Sequence, residues 1–204
     1  MVKYKKYLQE ETKKELGFID YTDFAEDEFA DARLAFATDS KFCLSVVAND
    51  GFPIHDKKEV AFAGRSNVGK SSLINSVTNV SGLARVSNTP GRTQMINFFS
   101  QGDAFFIVDL PGFGYAKASK ESIKQWSQLT RDYLLGRKEL ETVFFLIDSR
   151  HGIKEIDENI MEILDKSAVS YQIILTKFDK IKKNEVDNLL PVSYTHLRAH
   201  ETTS

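Results

Sequence analysis

The eight residues Gly64-Arg-Ser-Asn-Val-Gly-Lys-Ser71 constrain this chain more than any other stretch. They fit the pattern G-x-x-x-x-G-K-[ST]. They follow the apolar run Val60-Ala-Phe-Ala63 and open a segment, Ser71 to Asn79, that reads as a helix. A strand, a glycine-bounded loop and a helix in that order form a phosphate-binding loop, and such a loop needs an α/β framework. The glycines let the backbone curl so that N–H groups point inward, and the helix N-terminus adds favourable partial charge. Lys70 is expected to reach the β- and γ-phosphates of a nucleotide, and Ser71 to offer its hydroxyl to Mg²⁺. The bland alternative, a turn that only joins strand to helix, fits the spacing and context poorly.

The rest of the chain supplies that framework. Three more short apolar runs follow, Phe105 to Val108, Val143 to Ile147 and Tyr171 to Leu175. Continuous apolar runs of this kind suit strands buried on both faces. Helical stretches separate them: Ser119 to Arg137, with Ser119 as N-cap and Ile123, Trp126, Leu129, Tyr133 and Leu134 at mostly three- and four-residue steps, and Ile156 to Lys166 with Ile156, Ile160, Ile163 and Leu164. Alternation of strand and helix predicts an α/β fold with a mostly parallel sheet and helices on both faces. Asn97 to Phe99 and Phe105 to Val108, split by Gly102-Asp103, read as a hairpin that adds one antiparallel edge strand.

At 204 residues the chain holds one such domain plus appendages. Its net charge of −2 excludes a bulk polyelectrolyte binder of nucleic acid and leaves room for a local basic patch. Cys43 is the single cysteine, so neither an internal disulfide nor a zinc cage is possible; between Phe42 and Leu44 it is expected to pack as a small buried hydrophobe. The apolar stretches fall far short of the ~20 residues of a membrane span, and the basic N-terminus leads into no apolar signal core. The expectation is a cytoplasmic monomer with no membrane contact. Residues 1–40 read as an N-terminal extension. Its acidic, aromatic part from Tyr21 to Asp31 is either a surface helix or a segment that orders on a partner.

Three further motifs carry chemistry. Asp109-Leu-Pro-Gly112 ends a strand, where the carboxylate can hold Mg²⁺ directly or through water and Gly112 can offer its N–H to a γ-phosphate. Thr176-Lys-Phe-Asp179 follows the last run. A carboxylate there can accept from N1–H and the exocyclic amine of guanine, a donor pair that adenine lacks. Lys177 would lay its aliphatic stem along the base. Asn88-Thr-Pro-Gly-Arg-Thr-Gln94 is a polar loop placed to cover a triphosphate, with Thr93 as the second Mg²⁺ hydroxyl and Thr89 as the alternative.

In this order the motifs resemble translation-factor-class GTPases. The fuller wording GRSNVGKSSLIN, LARVSNTPGRTQMINFF, VDLPGFGYA and FLIDSRHGIKEID is similar to the EngB (YihA/YsxC) family, from about Lys41 to about Val186. The resemblance implies a GTP-hydrolysing switch linked to large ribosomal subunit assembly, its rRNA and proteins, and to cell division and septation. It implies that Gly64, Arg65, Ser66, Asn67, Val68, Gly69, Lys70 and Ser71 bind phosphates, with Ser71 on Mg²⁺. Gly91, Arg92, Thr93, Gln94 and Met95 would form the switch, with Thr93 on Mg²⁺. Asp109, Leu110, Pro111 and Gly112 would sense the γ-phosphate, and Thr176, Lys177, Phe178 and Asp179 would read guanine in GTP or GDP. Lys70, Thr93 and Gly112 are the expected catalytic groups. Asn67 is a turn former first; in related GTPases an asparagine at this place can also coordinate K⁺.

Two features depart from the family. Phe178 stands where a small residue is usual, which the loop should tolerate. The family also has a further strand, a loop supporting the guanine, and a C-terminal helix, for which Lys180 to Ser204 is too short. The expected division is a GTPase domain over 41–188, incomplete at its last strand and helix, and a non-native tail over 189–204. The stretch from Pro191 resembles a translated adapter and is set aside from fold reasoning. His196 and His200 have the spacing of a helical metal pair but no third ligand beside them.

Other residues keep two readings. Arg92 either stabilises transition-state charge in cis or faces solvent or a partner. Arg150-His151 settles the loop after the fourth strand. Lys180, Lys182 and Lys183 form either a solvated face or an RNA contact. Phe113, just after the DxPG glycine, replaces the glutamine that orients water in small GTPases, so intrinsic hydrolysis is expected to be slow. The rival functions are a kinase built on the same phosphate loop, which the TKFD motif argues against, a nucleotide-dependent scaffold with negligible turnover, and a non-functional fragment.

Overall fold

The run Val60 to Ala63 becomes the heart of the central strand. This computed structural model describes residues 25–36, 38–84, 95–113 and 120–181, the side chains of 120–127 excepted. In chain order the elements are α1 (Glu26–Phe36), β1 (Ser40–Val46), β2 (Lys58–Gly64), α2 (Lys70–Val77), β3 (Ile96–Gln101), β4 (Phe105–Asp109), α3 (Lys120–Gly136), β5 (Leu140–Asp148), α4 (Glu155–Lys166) and β6 (Tyr171–Thr176). Six strands form one sheet in the order β1-β3-β4-β2-β5-β6. β2 pairs in parallel with β4 on one side and β5 on the other, and β6 continues the parallel set.

The hairpin forms as predicted, with β3 antiparallel to β4. It is not at the edge, however. β1 pairs antiparallel outside β3, so β3 alone opposes the common strand direction. β1 also corrects the reading of Cys43, which is exposed. Phe42 pairs with Phe99 and Leu44 with Phe98, and the register shifts between them. Cys43 is the extra residue of that bulge and drops out of the alternation that buries Val46.

Alternate residues of each central strand serve opposite faces. One cluster joins Ala61, Phe98, Val143, Phe145 and Ile147 to Tyr133 and Leu134 of α3 and to Ile160, Met161 and Leu164 of α4. The other sets Phe62, Phe99, Ile107 and Leu146 against Val68, in the loop before α2, and Ile74 within α2. Burying each such large side chain contributes about 1.5–3 kcal/mol relative to exposure. Helix α1 buries no side chain; it is tied on through the buried amide of Gln101, which donates to the carbonyl of Thr38 at 2.9 Å and of Ala35 at 3.3 Å. Ser119 and the predicted core positions Ile123 and Trp126 lie outside the described side chains.

The two ends of the sheet differ. At the N-terminal end of β2, Glu59 is fully buried. It accepts from the Tyr133 hydroxyl at 2.8 Å and from Arg137 Nε at 2.8 Å and Nη2 at 2.6 Å, and His55 Nε2 lies 3.1 Å away. Burial, reinforced by Glu59, pushes the Tyr133 hydroxyl well up. At the other end the strand termini align: Phe62 faces Asp109, Gly64 faces Leu146, and Asp148 faces Thr176. The loops leaving β2, β4, β5 and β6 therefore emerge side by side, and β2 is where the strand order reverses, the usual place for a ligand on an open α/β sheet.

Candidate functional site

The loop after β2 is held by its neighbours before any ligand is considered. Gly64 approaches β5 so closely that a Cβ on it would lie 2.9 Å from the Leu146 carbonyl oxygen. Asn67 (φ 64°) and Gly69 (φ 111°) are left-handed, as a curled loop requires, and asparagine and glycine tolerate that conformation best. Val68 N–H donates to the Arg65 carbonyl at 3.1 Å, which closes the turn. Gly69 then caps α2, so Lys70 and Ser71 stand in its first turn.

The DxPG segment lies against this loop. Ser66 N–H donates to the Phe113 carbonyl at 2.9 Å, and Arg65 and Phe113 form a parallel bridge. A Cβ on Gly112 would sit 3.1–3.3 Å from Ser66 atoms, so only glycine fits without displacement. Lys70 Nζ donates to Asp109, and both side chains are about nine-tenths buried. The Phe113 ring turns into the core and stacks on Phe145 at 5.8 Å.

The loop after β6 joins from the other side. The Thr176 hydroxyl donates to the Val68 carbonyl at 2.7 Å. Lys177, itself left-handed at φ 54°, donates from Nζ to the Asn67 carbonyl at 2.5 Å and to Asp148 Oδ2 at 2.9 Å. Phe178 and Asp179 begin a 3₁₀ turn, where Asp179 is half-exposed and pairs with Lys180 at 3.2 Å. Of the residues expected to cover the triphosphate, Thr89, Gly91, Arg92, Thr93 and Gln94 lie outside the described residues, as do Lys182, Lys183, His196 and His200; Met95 is described and partly exposed.

Two carboxylates complete the site, and neither was assigned a role from the sequence. Asp148 ends β5 and binds Arg150 through Nε at 2.9 Å and Nη2 at 2.8 Å. The guanidinium of Arg150, with Lys177 beside it, holds the Asp148 carboxyl well below the usual carboxylate range against the opposing effect of burial. Asp157, in the first turn of α4, is fully buried; its Oδ2 accepts from Lys154 N–H at 2.9 Å and lies 3.3 Å from Arg65 Nε. Burial pushes the Asp157 carboxyl up. Asp148 carried a readable signal, an acidic residue closing an apolar strand, the same signal that singled out Asp109.

The donor set suits phosphate and a hard cation. Backbone N–H groups and Lys70 offer positive charge, while the Ser71 hydroxyl and the Asp109 carboxylate are oxygen ligands of the kind Mg²⁺ takes together with phosphate oxygens. Among the described residues no group of three or more His, Cys, Asp or Glu could hold a metal alone, and no helix is long and apolar enough to cross a membrane.

Comparison with known proteins agrees with this geometry. A family model described as "50S ribosome-binding GTPase" matches residues 59–177. The chain is 53% identical over 168 residues to a probable GTP-binding protein EngB of Roseobacter denitrificans, covering 82% of this chain and 78% of the relative. It is 54% identical over 168 residues to the corresponding Ruegeria pomeroyi protein, covering 82% and 77%. A crystal structure of a probable GTP-binding protein engB superimposes with a TM-score of 0.54 at 26% identity, covering 67% of this chain and 80% of that one. The fold is shared as well by Era, solved in complex with MgGDPNP and nucleotides 1506–1542 of 16S ribosomal RNA, with a TM-score of 0.50 at 24% identity, covering 74% of this chain and 50% of that one.

Proposed function

The chain belongs to the EngB family of GTP-binding proteins, within the 50S ribosome-binding GTPases, and from that premise we propose that it is a GTP-driven switch acting in large ribosomal subunit assembly, and through it in cell division. It is a GTPase. The observation that supports the nucleotide-switch reading is that the segments after β2, β4 and β6 are bonded to one another, Lys70 to Asp109 and Lys177 to the Asn67 carbonyl; the large-subunit partner rests on the description of the matching family.

In this reading residues 64–71 wrap the phosphates, Lys70 bridges the β- and γ-phosphates, and Gly112 presents its N–H to the γ-phosphate. Residues 91–95 are the switch segment, with Thr93 as its catalytic, metal-binding hydroxyl. Thr176 to Asp179 recognise guanine. Ser71 and Thr93 would hold Mg²⁺, with Asp109 nearby, and the ion would supply neutralisation of charge on the phosphate oxygens. Positioning and charge neutralisation by Lys70 and backbone amides supply most of the catalysis. The Phe113 ring lies in the core and offers no hydrogen bond to an attacking water, so turnover is slow until a partner or a cation supplies the missing group. Asn67, exposed in the loop, is the candidate K⁺ ligand. The GTPase domain, incomplete at its end, covers 41–188, after an N-terminal extension over 1–40 and before a non-native tail over 189–204. The partner is the large ribosomal subunit, the acting form a monomer, and the compartment the cytoplasm.

The test is GTP against ATP binding, and GTP hydrolysis with and without purified large subunits, in KCl and in NaCl at equal ionic strength. Expected are selective GTP binding, slow intrinsic hydrolysis, acceleration by large subunits and a faster rate in KCl. Equal affinity for ATP would return the chain to the kinase reading. Indifference to the large subunit would remove the proposed partner, and a rate blind to KCl would remove the role of Asn67.

A further inference from the structure

We propose that Asp148 is a positioning residue for base recognition: it holds Lys177 where that side chain braces the base loop against the phosphate loop. The inference rests on the reading of Thr176 to Asp179 as the guanine site.

A lysine ammonium on four rotatable carbons is a poor fixed strut, because holding it costs rotamer freedom. Lys177 is held from two sides. Its Nζ donates to the Asn67 carbonyl of the phosphate loop at 2.5 Å and to Asp148 Oδ2 at 2.9 Å. Asp148 is in turn anchored. It is buried at the end of β5, in register with Thr176, the residue before Lys177. Its Oδ1 accepts from Arg150 N–H at 3.1 Å and Nε at 2.9 Å, and its Oδ2 from Arg150 Nη2 at 2.8 Å. The buried strand end itself fixes the carboxylate, with Arg150 as a second partner, and the carboxylate restricts where the Lys177 ammonium can sit.

This gives Asp148 a duty beyond its own loop. If the Lys177 stem lies along a base, its place is set by a carboxylate that touches neither base nor phosphate. The Asn67 carbonyl, one residue from Val68 whose carbonyl holds Thr176, makes the same placement matter to the phosphate loop. The competing account is that Asp148 only closes the 148–152 turn through Arg150, where Gly152 N–H and His151 N–H donate to the Asp148 backbone carbonyl at 3.1 and 3.0 Å.

A double-mutant cycle separates the two accounts. Dissociation constants for N-methylanthraniloyl-GDP are measured on the full chain for the parent, Asp148→Asn, Lys177→Ala, the double variant and Arg150→Ala, with thermal unfolding followed in parallel. A positioning role predicts that Asp148→Asn weakens binding about tenfold in the parent and less than about twofold once Lys177 is gone, a loss of the order set by one charged hydrogen bond. Arg150→Ala should keep affinity within about threefold, since the Asp148–Lys177 contact survives it. The same factor of loss in both backgrounds would overturn the proposal, as would an unchanged affinity in Asp148→Asn. Should Asp148→Asn not fold, the exposed Arg150→Ala variant still decides: a tenfold loss there assigns the effect to the turn. A parent that does not bind GDP would instead refute the reading of the site, and this inference with it.

Discussion

The two ends of the sheet use ion pairs for opposite purposes. At the N-terminal end one carboxylate, Glu59, is enclosed by Tyr133, Arg137 and His55, and Arg137 also donates to the Pro53 carbonyl at 2.7 Å. Its partners come from α3 and from the segment before β2, so the cluster joins elements of the core. At the C-terminal end three carboxylates, Asp109, Asp148 and Asp157, are each met by a cation from another loop or from the turn beside them: Lys70, Arg150 with Lys177, and Arg65. Those pairs join loops, and the backbone beneath them is left-handed at Asn67, Gly69 and Lys177. One end spends its charges on cohesion. The other uses them to bond loops to one another.

The sharpest way to break this contrast is Glu59→Gln. Removing one partner of a buried ion pair costs about 3–5 kcal/mol. Stability from urea unfolding should fall by that order, while GDP affinity measured well below the unfolding transition stays within about twofold, less than one charged hydrogen bond is worth. A large loss of affinity in a folded Glu59→Gln variant would show that the two ends are coupled.

Gly64→Ala should do what Glu59→Gln does not. A methyl group there meets the Leu146 carbonyl oxygen and Val68 Cγ1 at 2.9 Å each. Overpacking of this kind costs about 1–3 kcal/mol. Because the strain falls on the phosphate loop, nucleotide affinity should drop along with stability, both read from the same purified variant. Unchanged affinity would mean that β5 yields and the loop does not.

The smallest expected effect is a pH dependence. Burial raises the Asp157 carboxyl above its unfolded value of about 4. The folded chain therefore binds this proton more tightly than the unfolded one. Its contribution to stability is fully present below about pH 4 and is lost as pH rises through the folded value. Asp148 is shifted the other way, so its contribution is present above about pH 4 and is lost only as pH falls through its depressed value. Asp157→Asn should flatten the decline on the neutral side, seen as a stability difference between parent and variant that changes from pH 4.5 to 7.5. A constant difference across that range would remove the assignment.

What could be read from the sequence follows from how far apart the interacting residues are. The phosphate loop with the strand before it, and the DxPG and TKFD segments, declare themselves locally, because each is a short apolar run ending in a polar turn. The five expected strands appear within three residues of the predicted bounds. β1 escaped because the bulge at Cys43 breaks the alternation that marks a half-buried strand. The Glu59 cluster escaped for another reason: Tyr133 and Arg137 lie 74 and 78 residues away, and no local pattern pairs them. The link between Lys177 and Asn67 spans 110 residues, yet both were singled out separately, by loop chemistry and by resemblance. Arg65 and Asp157 show the limit of such reasoning. An arginine inside a phosphate loop suggests a phosphate contact, whereas the Arg65 Nε here turns to a buried carboxylate on α4.

The bulge in β1 also bears on how this chain meets other copies of itself. β1 is the outermost strand on its side among the described residues, and a long flat outer strand presents unpaired N–H and C=O groups that recruit further strands. The register shift between Phe42 and Leu44 interrupts that row midway, and the charged, exposed Lys41 flanks the interruption. A neighbouring chain could not continue the ladder past this point without unpaired amides or a buried charge. The irregularity that hides β1 from a sequence reading thus guards this edge of the sheet against recruiting further strands.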